Sequence, residues 1–460
     1  MRYVSTRGQA PAVDFREALL AGLAPDGGLY TPERWPTLAP ERLAAFAGMA
    51  YADVAAEVVG AFAGAAFTPD LLRELCHAAY AGFDRPAVTP LVQLGAGAWL
   101  LELFHGPTLA FKDVAMQLLA RLYDATLESL GRRLTLVVAT SGDTGGAAVE
   151  AFADAAHVDL VVLFPEGRIS EVQRRFMTTA TAANVRCVAV AGDFDAGQAM
   201  VKALFADAAF RHEVDLSGVN SINWARIAAQ SVYYVASAAA LGRPPAFVVP
   251  TGNFGDAFAG YAAHRLGSPV AAIGVATNGN DILARAFAER RYARGESMAT
   301  QSPAMDIQVA SNFERLHFEL AGRDAAATRA AFEGLARGEA IALPASPELA
   351  LFRAAATGEA ATAMAIQDTW EQADLLVDPH TAVALAAVPA LDLPAGAPVV
   401  VLATAHPAKF PEAVEAATGE PPAAHARAEA LLTRVERIDR LPADAEALKA
   451  YVRAFARERR

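Results

Sequence analysis

Two glycine-rich turns and one lysine are the residues of this chain best suited to chemistry. Thr140-Ser141-Gly142-Asp143-Thr144-Gly145-Gly146 closes the apolar run LTLVVAT (134–140), and Thr251-Gly252-Asn253-Phe254-Gly255-Asp256 follows AFVVP (246–250). Each leads into an apolar helical pattern, AAVEAFADAA and AFAGYAAHRL. Glycines permit tight turns, several N–H groups converge there, and a helix N-terminus adds the positive end of its dipole, so each turn suits an anion. Neither has the spacing of a dinucleotide fingerprint or a Walker lysine. One such turn alone reads equally well as a plain strand-to-helix connection. Two of them, carrying hydroxyls, a carboxamide and carboxylates, read as a ligand-binding pair.

Lys112 stands in HGPTLAFKD (105–113), ahead of apolar positions 114, 115, 118, 119 and 122. That spacing predicts a lysine at a helix N-terminus, where the dipole disfavours a cation and favours the free amine. A free amine is what Schiff-base chemistry requires; an ordinary solvated lysine is the alternative. Asn220-Ser221-Ile222-Asn223-Trp224-Ala225-Arg226 precedes an apolar helix, and Asn220 or Ser221 serves either as its cap or as part of a cleft.

The elements that must position these groups are short apolar runs alternating with helices: 134–140, 158–165, 185–192, 246–250, 270–275 and 397–404. This alternation predicts an α/β fold whose parallel sheet is covered on both faces, with ligands at the C-terminal ends of the strands. Residues 1–85 read mainly as helices and turns, with the polar residues Ser5–Arg7 taken as structural. Residues 321–363 and 424–460 read as helical.

The 460 residues are 54% apolar and 20% charged, a globular composition long enough for two or three domains. The formal net charge of -12 argues against nucleic acid and anionic membrane surfaces, and no stretch is apolar enough to span a bilayer. With two isolated cysteines and no C-x-x-C, neither a disulfide framework nor a metal site is expected. The opening MRYVSTRGQA lacks a signal-peptide apolar region, and a cytoplasmic location is expected.

GPTLAFKDVA, ATSGDTGGAA, PTGNFGDAFAG and ATAHPAKF, with STRG and LLAGLAPDGGLYTPE ahead of them, resemble the threonine synthase family in its own order, over residues 2 to about 418. The resemblance implies a tryptophan-synthase-β-like fold of the second pyridoxal-phosphate type. It has two open parallel-sheet subdomains and a mainly helical N-terminal region. The division expected is 1–85, then 86–418 with a mobile subdomain over roughly 110–215, then a helical extension over 419–460. It further implies conversion of O-phosphohomoserine and water to threonine and phosphate by a monomer or homodimer. Lys112 would carry the cofactor as a Schiff base. Gly252, Asn253, Phe254 and Gly255, with Asp256 beside them, would cradle its phosphate, and Thr404 would meet the pyridine nitrogen. Asp143 would lie near the phenolic oxygen, leaving one proton unassigned. Ser141 and Thr144 would hold the substrate carboxylate, with Asn220, Ser221 and Asn223 nearby. Arg226, Arg175 and Arg315 are the candidates for the substrate phosphate. The rivals are a threonine or serine dehydratase of the same fold and a non-catalytic homologue.

Overall fold

The computed structural model describes residues 1–140 and 142–458. Two open sheets carry the chain. The larger has six strands in the order Phe352–Ala356, Ala272–Thr277, Ala246–Pro250, Val399–Ala403, Ala98–Glu102 and Leu91–Gly95. The first five run parallel, and Leu91–Gly95 closes the edge as an antiparallel hairpin partner. The smaller has five parallel strands in the order Asp439–Leu441, Val185–Val190, Val158–Pro165, Leu134–Ala139 and Leu216–Ser217.

All six apolar runs are strands, because a parallel strand covered on both faces needs an unbroken apolar sequence. VDLVVLFP (158–165) is buried along its whole length, with Asp159 paired to Arg133. Two edge strands lie where the sequence reads as helix. FRAAA (352–356) borders Ala272–Thr277, and Asp439–Leu441 of the C-terminal stretch pairs with Val188–Val190. Both are short, and one is alanine-rich and the other charged, so pairing with a formed neighbour decides their state.

The N-terminal residues build a two-stranded ribbon, Tyr3–Ser5 against Tyr30–Pro32, and the helices Phe15–Ala21, Tyr51–Ala63 and Pro69–Tyr80. Ser5–Arg7 is structural, as expected. Arg7 forms a two-pronged pair with Glu314 (3.0 and 2.8 Å), and Thr6 donates its hydroxyl to the same carboxylate at 2.7 Å. The helix Trp224–Leu241 is buried on nearly every side and packs against Gly255–Arg265, Tyr51–Ala63 and Lys112–Leu130. Among the described residues no helix is long and apolar enough to cross a membrane. Cys76 and Cys187 are buried and unbridged.

Candidate active site

The C-terminal ends of Leu134–Ala139, Ala246–Pro250 and Val399–Ala403 open on one cavity of about 240 Å³. Lys112, Asp143, Thr144, Asn220, Ser221, Arg226, Gly252, Asn253, Phe254, Gly255, Asp256 and Thr404 all line it.

Lys112 is the first residue of the helix Lys112–Leu130, as the spacing predicts. The preceding turn is braced by Asp113, whose carboxylate accepts the Thr108 N–H and hydroxyl, each at 2.7 Å. It is stitched to the end of the Val399–Ala403 strand, because Phe111 N–H donates to Thr404 O (2.8 Å) and His406 N–H donates to Leu109 O (3.0 Å). Lys112 and Thr404 are thereby held as neighbours. Burial lowers the Lys112 pKa, the charges of Lys409 and Arg226 add to that, and Asp143 opposes it.

Asp143 opens the helix Asp143–Phe152 and is itself buried. Its Oδ1 accepts from Lys409 Nζ at 2.8 Å and Gln173 Nε2 at 3.1 Å, while Oδ2 lies 3.4 Å from Lys112 Nζ. Burial by itself raises this carboxyl, but Lys409 and Lys112 outweigh burial and hold it well below the usual carboxylate range. Asp143 is therefore a carboxylate. Its own N–H and that of Thr144 meet no acceptor among the described residues. Ser141 lies outside the described residues.

In the second turn, Phe254 takes a left-handed φ of 61° and caps the helix Gly255–Arg265. Its ring packs among Phe287, Phe313 and Phe352, with centroids 5.5–6.3 Å away. Gly252 is obligatory for space, since a Cβ there would lie 2.6 Å from Ala304 O. Among the described residues the N–H groups of Gly252, Asn253, Phe254 and Gly255 have no acceptor. Beside them, burial pushes the Asp256 carboxyl up to about 6 despite hydroxyl donors from Tyr233 and Tyr234 to Oδ1; Oδ2 is unpartnered among the described residues.

Arg226 is 3% exposed, and its Nε and Nη1 find no partner among the described residues. Burial lowers its pKa to about 10, so it stays cationic at neutral pH. A buried guanidinium with unmet donors in a cavity wall is suited to an anion.

Three expected residues lie elsewhere. Asn223, not Asn220 or Ser221, caps the helix Trp224–Leu241: its side chain accepts from Ala225 N–H at 3.0 Å and donates to Leu19 O at 2.8 Å. Arg175 pairs with Glu171 and donates to the Leu431 and Leu432 carbonyls, outside the cavity wall. Arg315 is fully buried and gives its donors to Tyr30 O (2.9 Å), Ile222 O (2.6 Å) and the Asn312 carboxamide, also away from the wall. Sequence reasoning passed over Lys409 and Gln173. Lys409 stands inside the quoted ATAHPAKF, where a lysine in an otherwise small and apolar stretch is the signal; Gln173 has no such signal.

A buried amine at a helix start, in a cavity it shares with N–H groups that meet no acceptor among the described residues, is suited to pyridoxal phosphate, and similarity to known proteins places the chain among pyridoxal-phosphate-dependent enzymes. A family model described as pyridoxal-phosphate dependent enzyme matches residues 84–405. Models described as threonine synthase N terminus and threonine synthase, C-terminal, match 2–80 and 381–452. Threonine synthase of Pseudomonas aeruginosa is 45% identical over 459 residues, 98% of each chain. A crystal structure of PLP-bound threonine synthase from Brucella melitensis superposes with a TM-score of 0.96 at 46% identity, over 99% of this chain and 100% of that one. Yeast threonine synthase follows with a TM-score of 0.92 at 34% identity, over 99% of each. The chain belongs to the threonine synthase family, and its fold is the tryptophan-synthase-β-like type expected.

Proposed function

We propose that this chain is a threonine synthase, converting O-phosphohomoserine and water to threonine and phosphate. One arrangement carries the reading. Lys112, the guanidinium of Arg226 and the free N–H groups of two glycine-rich turns face the same cavity. A substrate with a carboxylate and a phosphate, reacting on a cofactor with a phosphate of its own, needs that many anion sites.

The residues fit pyridoxal phosphate. The Gly252–Gly255 cradle, whose wall leaves no room for a Cβ at Gly252, would hold the phosphate, and Lys112 would hold the aldehyde carbon. Bound there, the cofactor supplies an electron sink for breaking a C–H bond beside the amino nitrogen. Lys112, with basicity lowered by burial, is the group we assign to remove the Cα proton and to return protons later in the cycle. Thr404 would meet the ring nitrogen with a neutral hydroxyl, which would leave that nitrogen less protonated than a carboxylate partner would. Thr144, with the N–H groups of Asp143 and Thr144, takes the substrate carboxylate, together with Ser141. Arg226 takes the substrate phosphate, and Asn220 and Ser221 contribute to the same cleft. The region of roughly 110–215 is read as the part that closes over the cavity and keeps bulk water from the reaction. The division into 1–85, 86–418 and 419–460 and a cytoplasmic monomer or homodimer complete the reading.

The test sets phosphate release from O-phosphohomoserine beside ammonia release from serine and threonine, at matched saturation. Dominant phosphate release with threonine as product supports the proposal. Dominant ammonia release makes the chain a dehydratase, and the absence of both makes it a non-catalytic homologue.

A further inference from the structure

Lys409 lies on no wall of the cavity, yet its ammonium is spent on Asp143, a buried charge that does. It is 1% exposed, in the short turn Pro407–Lys409 that follows Thr404. Its Nζ donates to Asp143 Oδ1 at 2.8 Å and to Thr108 O at 2.8 Å, and it sits 5.3 Å from the centre of the Phe176 ring. Thr108 belongs to the turn that Asp113 braces and that delivers Lys112. One ammonium thus ties the carboxylate to the turn bearing the reactive amine.

The two oxygens of Asp143 are divided. Oδ1 is filled by Lys409 and Gln173, and Oδ2 alone faces Lys112. An ammonium at Lys112 is also a counter-ion to this carboxylate, but its charge changes whenever that nitrogen is covalently engaged. Lys409 is the cation on Asp143 that chemistry at Lys112 leaves in place. We propose that Lys409 is a positioning residue that keeps Asp143 ionised and turned, so that Oδ2 is always presented to the cofactor linkage at Lys112. This also assigns the proton left open by the sequence: it belongs to the cofactor's phenolic oxygen or to the linkage nitrogen, and not to Asp143. The inference rests on the pyridoxal-phosphate reading of Lys112.

The charged and titratable groups around this pair are Lys112 and Lys409 on Asp143 itself, His380 from the helix Pro379–Ala387, Arg226 and Asp256 toward Lys112, and Asp113 toward Lys409. Without Lys409, burial acts on Asp143 with Lys112 and the more distant His380 as the remaining counter-charges among the described residues, and its protonation moves upward in pH.

The experiment records the visible spectrum of holoenzyme from about pH 5 to about pH 9 for wild type, Lys409→Met, Asp143→Asn and the double variant. We expect Lys409→Met to gain a spectral step in this range that wild type lacks and that the double variant loses. We also expect its kcat to fall roughly 100-fold while KM moves by less than about 3-fold. The double variant should be no slower than Asp143→Asn, because Lys409 acts through that carboxylate. A Lys409→Met spectrum as insensitive to pH as wild type, or losses that add in the double variant, would overturn the proposal. If Lys409→Met does not fold, the double variant decides. Restored folding supports the proposal, since the stranded carboxylate is gone, and a double variant that is also unfolded assigns Lys409 to packing and overturns it. A colourless wild type would instead defeat the cofactor reading, which keeps the two failures distinct.

Discussion

Gly252→Ala is the sharpest steric test of the phosphate cradle. The backbone at Gly252 is not left-handed, so alanine is tolerated conformationally and only space is at issue. Its Cβ would sit 2.6 Å from Ala304 O and 3.2 Å from Met305 Cα. Both are backbone atoms, so no side chain can rotate away. The turn or the Pro303–Met305 segment must shift by roughly 0.5–1 Å to reach ordinary contact. A shift of that size spoils one or two charge-assisted N–H bonds to a phosphate, each worth about 1.5–3 kcal/mol. The expected loss is about 2–4 kcal/mol, or roughly 30- to 1,000-fold in Kd for pyridoxal phosphate. The assay is a titration of apoprotein followed by the colour of the bound cofactor, with pyridoxal, which lacks the phosphate, as control. Gly252→Ala should weaken pyridoxal phosphate and leave the reaction of pyridoxal with Lys112 within about 3-fold. Equal losses for both ligands, or unchanged affinity for pyridoxal phosphate, would refute the cradle.

Lys112→Ala should remain folded and lose threonine formation by at least about 10³-fold; borohydride reduction of wild-type holoenzyme followed by mass spectrometry should place the pyridoxyl adduct on Lys112, and an adduct on another lysine refutes the assignment. His317 gives a pH prediction. Burial depresses its pKa to about 4, and its ring packs edge-on to Phe332. A histidine near 6.5 when unfolded binds more protons in the unfolded state between those values. Its contribution to stability is therefore full above about pH 6.5 and is lost as pH falls toward about 4, by on the order of 1–3 kcal/mol. Thermal melts at about pH 7 and about pH 5 should show a smaller drop for His317→Phe than for wild type, and equal drops refute the argument.

What the sequence made legible follows from where local pattern and function coincide. The central strands were legible because each is a continuous apolar run. Lys112 was legible because the 114–122 pattern fixes where its helix begins. The edge strands Phe352–Ala356 and Asp439–Leu441 were not, because their state depends on neighbours distant in the chain. The same holds for Asn223 and Arg315. Both are polar residues in segments that look chemical, and only the packed structure shows that their donors are spent on Leu19 O, Tyr30 O and Ile222 O. Lys409 failed for the opposite reason. It was in view within ATAHPAKF, but its partner Asp143 opens a helix that follows a strand of the other sheet, far away in the chain.

Arg315 and Asn312 also explain what the N-terminal region does for a site to which it contributes no wall. Asn312 donates its N–H to Asn253 O at 3.1 Å and its Nδ2 to Asn253 O and Ser221 O at 3.2 and 3.0 Å. A trans peptide plane points its carbonyl and the next N–H in opposite directions. Fixing Asn253 O on Asn312 therefore turns the Phe254 N–H the other way, toward the cradle. The left-handed φ at Phe254 lets the next N–H converge on the same point. Asn312 is in turn held by Arg315, whose remaining donors reach Tyr30 O in the N-terminal ribbon and Ile222 O. The adjacent Glu314 is clamped by Thr6 and Arg7 from that ribbon. The orientation of the amides proposed to hold the cofactor phosphate thus depends on a chain of hydrogen bonds that ends in the first thirty or so residues, which ties a segment that lines no part of the cavity to the geometry of the site.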